Sequence, residues 1–221
     1  MILGIETSSS LTSVAIAHEG RVVVKNSLPG SVSHSESLAQ LVRNLMLDGG
    51  IEPSALSAIV IGRGPGSFTG LRIGFAFAKG LALSLRIPLC PVSSLAGLVW
   101  GARRAGSLVS AVRDARRGEV FFEKYSHEAS GRIELVEGPL ILGVEAVLAR
   151  GGATLVADAG LDSLPQGTLQ GTASAEYTIA AWKALGGSVP PLDLSQVIGL
   201  EPLYVRAVAA KSIAERQGMP G

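Results

Sequence analysis

Gly62 to Leu83 reads "GRGPGSFTGLRIGFAFAKGLAL" and places six glycines in its first nineteen residues. In a helix interior each glycine costs about 1 kcal/mol relative to alanine. So dense a use of glycine implies that something comes unusually close to this backbone, either a ligand or another helix. The preceding "AIVIG" (58–62) is a short continuous apolar run, as in parallel strands covered on both faces. The stretch itself predicts a loop and then a helix from about Ser67 to Leu85, with the Ser67 hydroxyl as its N-cap. Strand, glycine loop and helix is the arrangement that aims backbone N–H groups at an anion. The specific phosphate signatures are missing. Lys79 lies between Ala78 and Gly80 and follows no Walker glycine, and Thr69 stands where a dinucleotide fingerprint needs its third glycine. A second reading follows from spacing. Gly66, Gly70, Gly74, Ala78 and Ala82 recur every four residues, so a helix carries them as one smooth stripe. The stripe packs on the chain's own sheet or forms a subunit interface. Spacing alone modestly favours the sheet, whereas Phe68, Leu71, Phe75 and Phe77 add more apolar surface than one side can bury, which raises the weight of an interface.

Upstream, "MILGIET" is an apolar strand ending in a polar turn, and "SVAIAHEG" with "RVVVKNSL" reads as a hairpin closed at Glu19-Gly20. Together they predict a three-stranded meander. Ser33 and Glu36 have capping-box spacing, Leu38, Leu41, Val42 and Leu45 make one helical stripe, and Gly49-Gly50 ends that helix. "LCPV" (89–92) is a further strand. The order β-β-β-α-β-α-β predicts an α/β fold with mixed sheets, the ribonuclease-H-like domain that is doubled in actin-like and sugar-kinase ATPases. Residues 1–100 form that first domain. Residues 101–202 form a smaller second α/β domain, in which "LVSAVRDARRGEVFFEKYS", "GRIELVEG" and "TLVAD" are strands and "SAEYTIAAWKALG" is a helix closed by Gly186. A final helix at about 203–217 can pack back on the first domain. No internal repeat is visible in the sequence.

The totals bound the function. The chain has 221 residues, 47% hydrophobic and 17% charged, enough for a substantial core. Its mean hydropathy is +0.39, but no uncharged run reaches the roughly 18 residues of a spanning helix, so no membrane role is expected. The first residues have no basic head or signal core, and the single Cys90 fits a reducing cytoplasm. Net charge is +1, which does not mark a nucleic-acid binder.

Candidate chemistry is sparse. Glu6-Thr7-Ser8 ends the first strand where actin-like ATPases carry a metal-steering aspartate and a phosphate turn. With Gly64, Gly66 and Ser67 these residues are the candidate nucleotide site, and the simpler reading of the triplet is a polar turn. His18, His34 and His127 form no metal-spaced pair, since Leu38 stands four residues after His34, so no metal is expected. Cys90 is read as a small buried hydrophobe. Arg103, Arg104, Arg113, Arg116 and Arg117 cluster in sequence and are read as a solvated face, with contact to an RNA backbone as the alternative. No nucleophile and base pair up, so no catalytic residue is assigned.

The glycine stretch, with "ILGIETSSSLTSVAIAHEG", "HSESLAQLV", "VRDARRGEVFF" and "EPLYVRAVAAK", closely resembles the TsaB (YeaZ) family over nearly the whole chain. The resemblance implies an actin-like (ASKHA) fold with a reduced second domain and no catalysis of its own. It implies a cytoplasmic scaffold subunit that binds the catalytic TsaD, works with the ATPase TsaE, and reaches tRNA through that complex. The complex installs threonylcarbamoyl on the adenosine next to the anticodon. No cofactor is expected for this chain, with ATP or ADP acting at the level of the complex. The alternative is an actin-like ATPase or kinase acting on its own. TsaD relatives carry a metal-binding H-x-x-x-H where this chain has His34 and Leu38. Family members commonly have aspartate where Glu6 stands. The resemblance also implies pairing with TsaD, or with a second copy in isolation, through helices at Ser33–Leu47 and Ser67–Leu85. The interface would then comprise His34, Leu38, Leu41, Val42, Leu45, Phe68, Gly70, Leu71, Gly74, Phe75 and Ala78. On that reading Leu41→Glu or Gly74→Arg breaks partner binding and leaves the monomer folded.

Overall fold

A computed structural model of the chain describes residues 1–29, 34–102, 107–158, 161 and 164–205, with the backbone alone at 34–36. The first sheet is the predicted meander extended by two parallel strands. β1 (Ile2–Glu6) pairs antiparallel with β2 (Leu11–His18), and β2 with β3 (Arg21–Pro29). β4 (Ala58–Gly62) and β5 (Leu89–Val92) then add in parallel, giving the order β3-β2-β1-β4-β5. The turn between β2 and β3 is two residues long. Glu19 and Gly20 both take positive φ, as a hairpin matched to strand twist requires.

Two helices cover one face of this sheet, α1 (His34–Gly49) and α2 (Phe68–Leu85). The stripe Leu38, Leu41, Val42 and Leu45 lies in one cluster with Leu3, Ile5, Val14, Ile16, Ile59 and Ile61 from the strands and Phe75, Ala78 and Ala82 from α2. The Ser67 cap is present, its Oγ accepting from Gly70 N at 3.2 Å. α2 is long and apolar enough to cross a membrane by length and composition, and one face of it, with Leu71, Phe75, Ala78 and Ala82, is buried within the chain. The capping-box pair Ser33 and Glu36 and the side chain of His34 lie outside what is described, as do Arg103, Arg104 and the greater part of the helix expected at 203–217. Residues 200–205 are not helical. A short helix, α6 (Leu194–Gly199), precedes them and tucks Val197 into the α1/α2 cluster.

The second sheet repeats the first. β6 (Ser107–Arg116), β7 (Glu119–His127) and β8 (Ile133–Gly143) form an antiparallel meander. β9 (Thr154–Asp158) and β10 (Leu169–Gly171) add in parallel on the other side of β6. The order β8-β7-β6-β9-β10 therefore matches β3-β2-β1-β4-β5 strand for strand. The duplication invisible in the sequence is present in the topology. A short α4 (Val144–Ala149) takes the place of α1 on the outer face, where Val147 meets Val112, Val120 and Phe122.

Two helices fill the space between the sheets, α3 (Ser94–Ala102) and α5 (Ala175–Ala184). Their central cluster joins Ala15, Val60 and Cys90 of the first sheet to Val109, Tyr125 and Val156 of the second. α5 approaches β1 so closely that a Cβ on Gly4 would lie 2.8 Å from the Ala175 carbonyl oxygen. The helix expected within the second domain thus packs on the first sheet. Cys90 is a buried free thiol, its pKa pushed up to about 11 by burial, as a small core hydrophobe should be.

Candidate functional site

The loop at Gly64–Ser67 and the turn at Glu6–Ser8 meet at the seam between the two sheets. The glycine stripe faces that turn. A Cβ on Gly66 would stand 2.2 Å from the Ser8 carbonyl oxygen, one on Gly70 2.0 Å from the Thr7 carbonyl oxygen, and one on Gly74 2.3 Å from Thr7 Oγ1. Real Cβ contacts do not come so close, so Gly66 and Gly70 admit only glycine without backbone movement, and a side chain at Gly74 would have to displace that of Thr7. What approaches the glycines is neither a ligand nor a partner helix. It is the chain's own β1 turn, pinned further by Ser67 N donating to Ser8 O at 2.7 Å.

This corrects the expected interface. Leu38, Leu41, Val42, Leu45, Gly70, Leu71, Gly74, Phe75 and Ala78 are all buried within the chain, and of the expected set only Phe68 has its side chain exposed among the described residues. Leu41→Glu would bury a carboxylate, and Gly74→Arg would drive a side chain into Thr7, so both unfold the monomer. The outward faces carry other residues: Gln40, Arg43, Asn44 and Leu47 on α1, and Thr69, Arg72, Ala76, Gly80 and Leu83 on α2.

The candidate nucleotide residues are brought together, but they bond one another. Glu6 is fully buried. Its Oε1 accepts from Ser8 N at 2.8 Å and its Oε2 from the Thr178 hydroxyl of α5 at 3.1 Å. A Cβ on Gly62 would fall 2.0 Å from Glu6 Oε2, so the carboxylate is also walled in by β4. Across the seam, Arg113 of β6 reaches into the turn. Its Nη1 donates to Ser8 Oγ at 2.5 Å and to Pro65 O at 2.8 Å, and its Nε to Asp158 Oδ2 at 2.6 Å. Thr7 Oγ1 and Arg113 Nη2 are sealed from solvent without a hydrogen-bond partner among the described residues. The two turns and a guanidinium thus occupy one another where phosphates would need open N–H groups, and the residues do not fit a nucleotide's phosphates.

The expected solvated face of arginines divides. Arg113 is an interior group tying the two sheets together, while Arg116 and Arg117 sit in the exposed β6–β7 turn with positive φ, Arg116 pairing with Asp114 at 3.1 Å. Arg113 closes a run of five consecutive buried residues, Val109 to Arg113, where an unpaired charge is not tolerated and Asp158 supplies the partner. No group of three or more His, Cys, Asp or Glu able to hold a metal occurs among the described residues.

Two mixed sheets of one topology, with paired helices outside and between them, define a duplicated actin-like α/β protein with a reduced second half. Comparison with known proteins narrows this class. A family model described as TsaD, tRNA N6-adenosine threonylcarbamoyltransferase, matches residues 29–160. The solved structure of YeaZ from Pseudomonas aeruginosa superimposes with a TM-score of 0.74 at 31% identity, covering 92% of this chain and 98% of that one. The tRNA threonylcarbamoyladenosine biosynthesis protein TsaB of Bacillus subtilis is 39% identical over 135 residues, 61% of this chain and 58% of that protein. The Escherichia coli protein of the same description is 36% identical over 132 residues, 59% of this chain and 57% of that protein. The chain belongs to the TsaB (YeaZ) branch of this family. The match thus spans a little under three fifths of the length of these two curated relatives.

Proposed function

We propose that this chain is a non-catalytic partner subunit in the biosynthesis of threonylcarbamoyladenosine on tRNA. In this reading it pairs with a TsaD-type transferase in the cytoplasm, forms a homodimer when isolated, and reaches tRNA through the complex. TsaE, with ATP or ADP, acts at the level of the complex. The observation that carries the non-catalytic reading is the interlocked seam: Glu6, Ser8, Pro65 and Arg113 spend their hydrogen bonds on one another. The family names of the relatives supply the pathway. The pairing surface is the outer face of α1 and α2, where Leu47 is 67% exposed and Ala76 and Gly80 leave room for a close helix.

The test is reconstitution with the TsaD-type protein of the same organism. Leu47→Glu and Ala76→Arg should each abolish co-purification and tRNA threonylcarbamoylation while leaving the far-ultraviolet circular dichroism spectrum of the chain unchanged. Full modification with both variants would refute the proposed surface. ATP turnover by the chain alone, lost in Glu6→Ala, would instead establish the independent ATPase or kinase.

A further inference from the structure

A second constellation adjoins the Glu6 seam and shares with it the charge of Arg113, which acts on Glu123. Between the ends of β4 and β5 and the face of β7 is a cavity of about 410 Å³, within the range of small-molecule sites. Glu123 of β7 lines it and is almost fully buried. Both the Ser93 hydroxyl and the Tyr125 hydroxyl donate to the same carboxylate oxygen, Oε2, at 2.6 and 2.5 Å. A carboxylate offers about four acceptor positions, so these two bonds leave it capacity toward the cavity. Arg63, which follows β4, lines the same space. Its Nε is sealed from solvent and has no hydrogen-bond partner among the described residues. The remaining wall is apolar, chiefly Pro91, Val92, Leu135, Trp182, Leu185 and Leu203. Leu203 is fixed there by its N–H to the Arg63 carbonyl at 2.7 Å.

We infer that this cavity binds a small zwitterion of the α-amino acid class with an apolar side chain. The Arg63 guanidinium would take the carboxylate, the Glu123 carboxylate the ammonium, and the apolar wall the side chain. A simple anion gains at Arg63 but meets Glu123, and a simple amine meets Arg63. Only a ligand carrying both charges satisfies both groups. Burial raises the pKa of Glu123, while Ser93, Tyr125, Arg113 and Arg63 act to hold it ionised, and a ligand ammonium would act in the same sense.

Titration calorimetry of the full chain tests this, with leucine as the probe and 4-methylpentanoate and 3-methylbutylamine as analogues lacking one charge each. Leucine should bind one to one, and each analogue at least about tenfold more weakly. Arg63→Met and Glu123→Gln should weaken leucine binding to a similar degree. Leu135→Trp fills the cavity mouth from a side chain that is 43% exposed, so it should block binding with the polar cluster and the fold intact. The inference is overturned by no saturable binding of leucine, methionine or phenylalanine up to about 10 mM. It is equally overturned by binding that survives Leu135→Trp, or by an analogue that binds as well as leucine. None of these readouts depends on the partner role proposed above.

Discussion

The interlock between α2 and the β1 turn makes a prediction with opposite signs at two glycines of one helix. Gly70 and Gly80 both lie inside α2, so replacing either by alanine gains about 1 kcal/mol of helix propensity. At Gly80 nothing lies within 4 Å of the new methyl group. Gly80→Ala should therefore stabilise the chain by about 0.5–1 kcal/mol, raising the thermal midpoint by about 1–4 °C for a domain of this size. At Gly70 the methyl would stand 2.0 Å from the Thr7 carbonyl oxygen, well inside van der Waals contact. That oxygen belongs to backbone and cannot rotate away, so α2 must retreat from the sheet by over an ångström. Such overpacking costs about 1–3 kcal/mol and often more at a backbone contact, which outweighs the propensity gain. Urea unfolding at a protein concentration low enough to keep the chain monomeric reads both changes, since Gly80 lies on the proposed pairing surface. Gly70→Ala should lower the midpoint and Gly80→Ala raise it. A Gly70→Ala chain as stable as the parent, or two shifts of the same sign, would refute the packing account of the stripe.

Three further outcomes are expected. Arg113→Met leaves Asp158 buried without its ion pair and Ser8 and Pro65 without their donor, so unfolding free energy should fall by about 3–5 kcal/mol. Denaturant titration measures this, and a loss below about 1 kcal/mol would mean that the seam does not depend on the guanidinium. Burial holds the His127 imidazole below its ordinary 6.5. The unfolded chain therefore takes up its proton first as pH falls. The stability contributed is full above 6.5 and is lost as pH drops through that value toward the folded one. His127→Phe keeps a ring against Trp100 and should flatten the decline in stability from about pH 7 to about pH 5; an unchanged profile would exclude His127 as its source. Finally, Lys25→Ala breaks an ion pair with Glu176 at 2.8 Å whose lysine side is 61% exposed. Its effect should stay within about 0.5 kcal/mol and shrink with added salt.

The fold was legible where one face of an element is apolar and the other polar. The α1 leucine stripe and the alternating exposure of β3 are of this kind, while β1, β2 and the middle of β6 are buried on both faces and were legible as apolar runs bounded by turns such as Glu19-Gly20. Helix α3 was not read, because Ser94 to Val99 is buried on every side and "SLAGLV" shows no period from which to infer a face. β10 was missed because three residues, Leu169–Gly171, carry no pattern. At the site, the spacing of Gly66, Gly70 and Gly74 announced a close neighbour, but spacing names no neighbour. The β1 turn lies some sixty residues away in sequence, and only the parallel pairing of β1 with β4 brings Thr7 beneath α2. The leucines of α1 misled for the same reason. An apolar stripe looks alike whether it meets its own sheet or another subunit. Arg113 was submerged in a run of arginines, because β6 is buried on both faces from Val109 to Arg113 and offers no alternation to separate it from Arg116 and Arg117.

The placement of α5 bears on how the chain is made. The inner face of the first sheet, with Ala15, Ala17, Ala58 and Val60, is covered by a helix encoded at Ala175–Ala184. A ribosome that has released the five strands of that sheet must add more than eighty further residues before the cover emerges. Until then the nascent amino-terminal half presents a bare apolar plane, a surface suited to holdase chaperones and to premature association. Translation speed across the second half therefore governs how long the first half waits, and synonymous codon changes there would alter yield while leaving the finished protein unchanged.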